Sequence, residues 1–326
     1  MKNKITIWFT DFWSGFDYKK NTFASHIVQI ISSQYDVELD EKNPDFLFYS
    51  SFGFNHIRYS TSVRIFVCGE TVIPDFNVCD YAISQIKLEF DERNLNFPFM
   101  LWIDLGAKAG RLPQDVALNR KFCSFIYSNS NFGEGSLIRT EFCKKLGNEY
   151  KYVHCPGIVL HNCDAPELSK RNDNGWVHSK RHYMAGFKFN IAYENTMVPG
   201  YITEKLADCF ISGVVPIYRG SNLPSELKEA VICADDYPTF DSLIERVKEV
   251  DNNDALYMSI LNANHAFGEY SMRMYQKLDD FIMSIIEKGR HPREKNNPYD
   301  HISKYLPLAM LLMRIIRYTK RILLWR

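Results

Sequence analysis

The sequence predicts an α/β protein of two doubly wound, Rossmann-like domains facing a cleft, with a basic amphipathic helix at the carboxyl end. Three observations predict it. Short apolar runs alternate with helix-like stretches, and they do so in two successive sets. The stretch Phe187–Ser221 (FKFNIAYENTMVPGYITEKLADCFISGVVPIYRGS) holds a strand–turn–helix–strand unit with polar residues gathered where the helix begins. The last residues, Leu306–Arg326 (LPLAMLLMRIIRYTKRILLWR), combine apolar and cationic residues without a single acid.

In the first set, Ile5–Phe9 reads as a strand and Phe23–Ile31 as a helix. Phe46–Tyr49, Arg64–Val67 and Tyr81–Ser84 are short apolar runs bounded by turn formers, the pattern of strands covered on both faces. Leu105–Asn119 is richer in Gly, Lys, Pro and Asn and reads as a linker or loop. It divides a first domain, residues 1–120, from a second, residues 121–290. There Phe122–Ser128 is strand-like. Ser136–Leu146 follows, with Leu137, Ile138, Phe142 and Leu146 at helical spacing. Tyr152–Val153 comes next, then strands Phe189–Tyr193 and Val214–Tyr218 around a helix, then Val231–Ile232. Phe240–Val250 and Met274–Lys288 have the period of amphipathic surface helices.

Residues 291–326 form a third segment. His291–Pro298 is polar and bounded by prolines. Beyond it, a helix would place Arg314, Arg317, Lys320 and Arg321 in one narrow arc, largely opposite Leu311, Leu312, Ile315, Ile316, Ile322 and Leu323. Such a helix suits an anionic membrane surface, cations outward. The competing expectation is packing on the protein's own core.

Composition narrows the function classes. Lys+Arg and Asp+Glu both number 39, so there is no global basic field and a general nucleic-acid binder is not expected. The eight cysteines form no C-x-x-C pair. Cys123 falls in an expected strand and Cys209 in an expected helix, so buried reduced thiols are expected rather than a zinc site. The amino-terminal MKNKITIWFTDFW has a short apolar run broken by Asp11, unlike a signal peptide. No run reaches the roughly 18 apolar residues of a membrane span. These points lead us to expect a cytoplasmic protein, peripheral to the inner face of the cytoplasmic membrane.

The chemistry-bearing residues gather around the Phe187–Ser221 unit. Glu194, Asn195, Tyr201, Glu204 and Lys205 sit at the carboxyl end of a strand and the amino end of a helix. Free backbone N–H groups and the helix dipole favour anions there, which is where α/β proteins hold nucleotides. No D-x-D triplet occurs, so no metal-ligating carboxylate pair of that kind is expected.

Three segments in order resemble the α1,3/α1,4-fucosyltransferases of glycosyltransferase family ten. They are Arg64–Ala82, with Gly69-Glu70, Pro74-Asp75-Phe76 and Asp80-Tyr81-Ala82; Ser124–Arg139; and Phe187–Ser221. The last carries Glu194-Asn195-Thr196, Tyr201-Ile202-Thr203-Glu204-Lys205 and Val215-Pro216-Ile217-Tyr218-Arg219-Gly220-Ser221. The likeness runs from about Asp45 to Val250. Thr71 stands where the family usually has Asn, and Arg219 where many members have an aromatic residue.

The resemblance implies the B-type glycosyltransferase architecture and an inverting, single-displacement transfer of L-fucose from GDP-fucose. The acceptor is expected to be N-acetylglucosamine in a Galβ-GlcNAc-type oligosaccharide or glycolipid on a bacterial cell surface, with α1,3 linkage foremost. It assigns Arg139 and Lys205 to the diphosphate, and Asn195, Tyr201 and Glu204 to the nucleotide sugar. Glu194 either contacts the fucose or ties down its loop. Glu70 is the expected general base, because a sugar hydroxyl needs a placed carboxylate to take its proton. His56, in the Phe52–Tyr59 loop, is expected near the acceptor. No cofactor is expected to be required; a divalent cation would act, if at all, by stimulating through the free diphosphate. Two alternatives stand beside this reading. One is a transferase of the same fold using another nucleotide sugar. The other is a non-catalytic glycan- or membrane-binding protein on this scaffold.

Overall fold

The computed structural model describes residues 2–88, 92–102, 108–130, 133–170 and 175–293. Two wholly parallel sheets organise them. The first contains β1 (Lys4–Thr10), β2 (Asp36–Leu39), β3 (Phe46–Tyr49), β4 (Val63–Cys68), β5 (Tyr81–Ser84) and β6 (Asn94–Asn96), in the order β2-β1-β3-β4-β5-β6. The second contains β7 (Lys121–Ser124), β8 (Val153–His154), β9 (Phe187–Tyr193), β10 (Val215–Arg219) and β11 (Ile232–Cys233), in the order β11-β10-β9-β7-β8. The helices are α1 (Thr22–Gln34), α2 (Gln114–Leu118), α3 (Glu134–Glu149), α4 (Trp176–Met184), α5 (Glu204–Ile211), α6 (Phe240–Asp251), α7 (Asp254–Ala263) and α8 (Ala266–Glu287).

The central strands β3, β4, β5 and β9 are buried at every residue. Parallel sheets covered on both faces need such runs, which is why apolar content alone marked them. The edge strands β2 and β6 are half-exposed and polar, with sequences DVEL and NLN. They gave no apolar signal, and the sequence reading passed over them. It also passed over α4 and α7, and α2 forms within the expected linker. All eight cysteines are free thiols and six are buried.

Residue 120 falls between the two sheets, but the final helix does not stay with the second. Near its start, Phe267 of α8 packs against Phe210 of α5 at 5.2 Å. Further along, Tyr275 meets Phe97 at 5.4 Å, and Asp279 accepts from or pairs with His26 of α1 at 2.7 Å. Phe281 lies against Tyr81 at 6.3 Å. The last helix of the second half thus covers the first sheet, and one apolar cluster joins both halves. Backbone bonds stitch the seam: Lys87 N–H donates to Pro199 O at 2.9 Å, and Met100 N–H to Ile202 O at 3.0 Å. Among the described residues no helix is long and apolar enough to cross a membrane. The expected amphipathic helix at Leu306–Arg326 lies outside the described residues.

Candidate active site

The carboxyl ends of the two sheets face each other across a cavity of about 460 Å³. Gly69, Glu70 and Phe99 line it from the first half. Tyr127, Asn129, Arg139, Trp176, Lys180, Asn190, Asn195, Tyr201, Thr203, Glu204 and Lys205 are among its lining from the second. Six of the eight residues singled out from sequence therefore share this cavity: Glu70, Arg139, Asn195, Tyr201, Glu204 and Lys205.

Arg139 projects from α3 into the cavity, yet it is only 1% exposed. One guanidinium nitrogen donates to Asn195 Oδ1 at 2.5 Å and the other to Asn129 O at 2.6 Å. The plane rests on the Tyr127 ring, 3.9 Å from its centre. Tyr127 is itself pinned to β9, donating to Ile191 O at 3.0 Å and accepting from Tyr193 N–H at 3.1 Å. Its stacking fixes the orientation of the fork. The buried Nε has no acceptor among the described residues, which leaves one donor of a strong anion-binding group unused. The start of α3 must press against the loop after β9 to achieve this. Gly135 N–H donates to Asn195 O at 3.1 Å, and a Cβ at 135 would lie 2.1 Å from Glu194 O. Only glycine permits that approach.

Glu194 directly follows β9 and is 1% exposed. Its Oε1 accepts from Thr203 N–H at 2.7 Å, and its Oε2 accepts from Thr203 Oγ1 at 2.7 Å and from Lys205 Nζ at 3.2 Å. Both carboxylate oxygens are thus consumed in tying the strand end to the start of α5. Of the two expectations for this residue, the geometry supports the loop tie. Burial pushes its carboxyl pKa up, against the opposing pull of Lys205.

Lys205 also donates to Thr203 Oγ1 at 2.8 Å and lies 3.6 Å from a Glu204 oxygen. Desolvation disfavours its charge, but Glu194 and Glu204 outweigh it and hold the ammonium well above its ordinary pKa. Glu204 is likewise desolvated, yet Lys205 and Lys180 lower its pKa to about 2. Tyr201 is 5% exposed, and burial raises its phenol to about 12, so it remains a hydrogen-bond donor.

Across the cavity, Glu70 follows β4 and is exposed. Desolvation in the cleft raises its pKa, the Glu204 charge adds to this, and Lys205 opposes it. Carboxylate and ammonium from opposite halves thus line one cavity. The loop is steadied from behind, where Gln85 donates to Gly69 O and Glu70 N–H donates to Cys68 Sγ at 3.4 Å.

His56 requires a correction. It does not line the cavity. The residue is 8% exposed, and its ring stacks on Tyr49 at 4.1 Å and bonds through Nδ1 to Asp11 Oδ2 at 2.8 Å. The physical reason is the buried Asp11 carboxylate, which recruits the imidazole as a partner.

Sequence reasoning missed Lys180 and Tyr127. Lys180 lines the cavity and donates to Asp208 at 2.8 Å, so α4 is clamped onto α5. The available signal was the cationic run His178–His182 just before β9. Tyr127 had no signal beyond its place at the end of a strand. Chemically the cavity can bind a dianionic group at Arg139 and Lys205, with the Glu70 carboxylate on the opposite side.

Residues 7–103 match the α-(1,3)-fucosyltransferase FucT N-terminal domain, and residues 118–304 match glycosyltransferase family 10 (fucosyltransferase) C-term. The chain is 29% identical over 300 residues to the α-(1,3)-fucosyltransferase FucT of Helicobacter pylori, covering 77% of this chain and 58% of that protein. It is 34% identical over 119 residues to GDP-fucose protein O-fucosyltransferase 3 of Xenopus laevis, covering 35% of this chain and 25% of that one. The chain therefore spans between a quarter and somewhat over half of the length of these two relatives. A crystal structure of an α1,3-fucosyltransferase with GDP-fucose superposes with a TM-score of 0.62 at 21% identity, covering 86% of this chain and 91% of the other. That likeness establishes the fold, two parallel-sheet domains in the B-type glycosyltransferase arrangement. The family 10 match takes in more than half of the sequence, and with the paired domains it shows that the chain belongs to the family 10 glycosyltransferases, the fucosyltransferase family.

Proposed function

We propose that the protein is an inverting fucosyltransferase. It moves L-fucose from GDP-fucose to a hydroxyl of N-acetylglucosamine in a Galβ-GlcNAc-type glycan, forming an α1,3 linkage. The observation that carries this reading is the facing of Glu70 with Arg139 and Lys205 across one cavity.

In this reading the diphosphate lies on Arg139 and Lys205, both held in place before the donor arrives. Glu204 stays ionised and accepts from ribose hydroxyls, while Asn195 and Tyr201 contact the nucleotide sugar. The acceptor oxygen attacks the anomeric carbon of β-linked fucose from the face opposite the nucleotide. Glu70 takes the hydroxyl proton, the bond from the anomeric carbon to the phosphate oxygen breaks, and GDP leaves with the electron pair. Fixed cations stabilise the charge that develops on the leaving group. The configuration inverts from β to α without a covalent enzyme intermediate. Glu194 acts through Lys205 as a positioning residue.

The test is incubation with GDP-fucose and an acceptor panel containing N-acetyllactosamine, following GDP release and assigning the linkage by NMR. Release of GDP with a new α1,3 signal is expected. Competing donors test the alternative nucleotide sugar, and no turnover with any acceptor would leave a non-catalytic binding role. The same reading places the protein at the inner face of the cytoplasmic membrane through Leu306–Arg326. Deleting those residues is expected to abolish co-sedimentation with anionic vesicles and leave transfer in solution unchanged. Retained sedimentation would remove the tail from this role.

A further inference from the structure

At the carboxyl edge of the first sheet, the loops after β1 and β3 raise a cluster of aromatic rings. Phe12 and Phe16 stack at 4.1 Å. Trp13 meets Phe16 edge-on at 5.2 Å and Phe52 edge-on at 6.2 Å. Trp13, Phe52 and Phe54 remain 44%, 55% and 42% exposed. Three large rings left in water on one edge are a costly arrangement unless something covers them.

The two loops are locked together. The Asp11 carboxylate accepts from Asn55 N–H at 2.9 Å, from His56 N–H at 2.8 Å and bonds to His56 Nδ1 at 2.8 Å. Phe52 N–H donates to Asp11 O at 3.0 Å. Asp11 adopts φ of 58°, a left-handed conformation uncommon outside glycine that aspartate tolerates better than most residues. A Cβ at Gly53 would lie 2.3 Å from Asp11 Oδ1, so only glycine lets the second loop close on the first. The rings are therefore presented on a rigid base.

The platform adjoins the loop that carries Glu70. Ser51, next to Phe52, places its Oγ 3.5 Å from Cys68 Sγ, and that sulfur accepts from Glu70 N–H. The loop that bears Phe52 thus packs on the strand end that leads to Glu70.

We propose that Trp13, Phe52 and Phe54 form a subsite that stacks on a pyranose ring of the acceptor, one flanking the sugar that is fucosylated. The inference rests on the proposed saccharide acceptor. The C–H face of a pyranose is apolar and weakly positive, and it complements the negative face of an aromatic ring. The rigid mounting avoids an ordering cost when the sugar binds. Adjacency to the Glu70 loop favours a ligand that also reaches the carboxylate, rather than a lipid surface or a second copy of the chain.

The experiment compares wild type, the double variant Trp13→Ala/Phe52→Ala, and the conservative variant Trp13→Phe/Phe52→Tyr. Kinetics use GDP-fucose and N-acetyllactosamine, and saturation-transfer NMR uses N-acetyllactosamine without donor. The double alanine variant is expected to raise the acceptor KM about tenfold. The GDP-fucose KM is expected to stay unchanged, which also reports an intact fold, and the conservative variant to recover most of the loss. Equal acceptor KM values overturn the proposal, and so does loss of vesicle binding or self-association at unchanged KM. If wild type transfers no fucose, the functional reading fails separately. Saturation transfer that disappears in the alanine variant then upholds the platform, and its absence in wild type overturns it.

Discussion

The two walls of the cleft are built on opposite plans. On the second domain, the charged groups are wired to one another: Glu194 holds Thr203 and Lys205, and Asn195 and Tyr127 hold Arg139. Glu194 and Arg139 are each 1% exposed. On the first domain, Glu70 stands exposed, and its carboxylate has no hydrogen-bond partner among the described residues. A wall that stabilises developing charge works best when its dipoles are fixed beforehand, since no reorganisation is then needed. A wall that must change its own protonation works best with a carboxylate free of permanent donors, because such donors would lower its basicity.

That contrast can be broken first at Glu70. Glu70→Gln is expected to lower kcat by about 10²–10⁴-fold and leave the GDP Kd within a factor of about two by calorimetry. A near-normal kcat would end its assignment as base. Next in size is Lys205→Ala, expected to cost about 10²–10³-fold in kcat/KM and to weaken GDP binding as well. Unchanged GDP affinity would mean that the fixed wall does not hold the donor.

A subtler effect lies in the pH profile. In the proposed mechanism Glu70 works ionised, so activity is expected to fall as pH falls through its raised pKa. Glu204→Gln removes one of the two causes of that rise, so the acid limb of kcat/KM is expected to move to lower pH in the residual activity. Lys205→Ala removes the opposing cation and is expected to move it higher. An unmoved limb in both variants would show that Glu70 does not set it. The smallest effect concerns stability away from the cavity. Asp11→Ala leaves the N–H groups of Asn55 and His56 without their acceptor. Denaturant unfolding is expected to show a loss of about 1–3 kcal/mol with donor KM unchanged. A larger change in donor KM than in stability would mean that the loops are coupled to the second domain.

The fixed wall was the legible one. Glu194 through Lys205 lie within a single strand–turn–helix passage, so spacing alone brought them together. Arg139 is distant in sequence, and the family resemblance rather than spacing selected it. The roles of Tyr127 and Lys180 depend on long-range pairing, Tyr127 with β9 and Lys180 with Asp208; a cationic run marks the stretch around Lys180, but no local pattern announces Tyr127. His56 misled because a histidine in a polar loop looks available, and its engagement by Asp11 spans 45 positions. Buried strands were read from apolar runs almost to the residue at Phe46–Tyr49 and Tyr81–Ser84. The polar edge strands were invisible because a strand paired on one side needs no apolar run.

The return of α8 to the first sheet bears on how the molecule must be made. Phe97, Tyr81 and His26 each find a partner in residues translated about 180 to 250 positions later. During synthesis the amino-terminal half therefore waits, with part of its apolar surface bare, until the chain has emerged through Phe281. Severing the polypeptide between the sheets would yield a first fragment lacking its lid, not a self-sufficient unit.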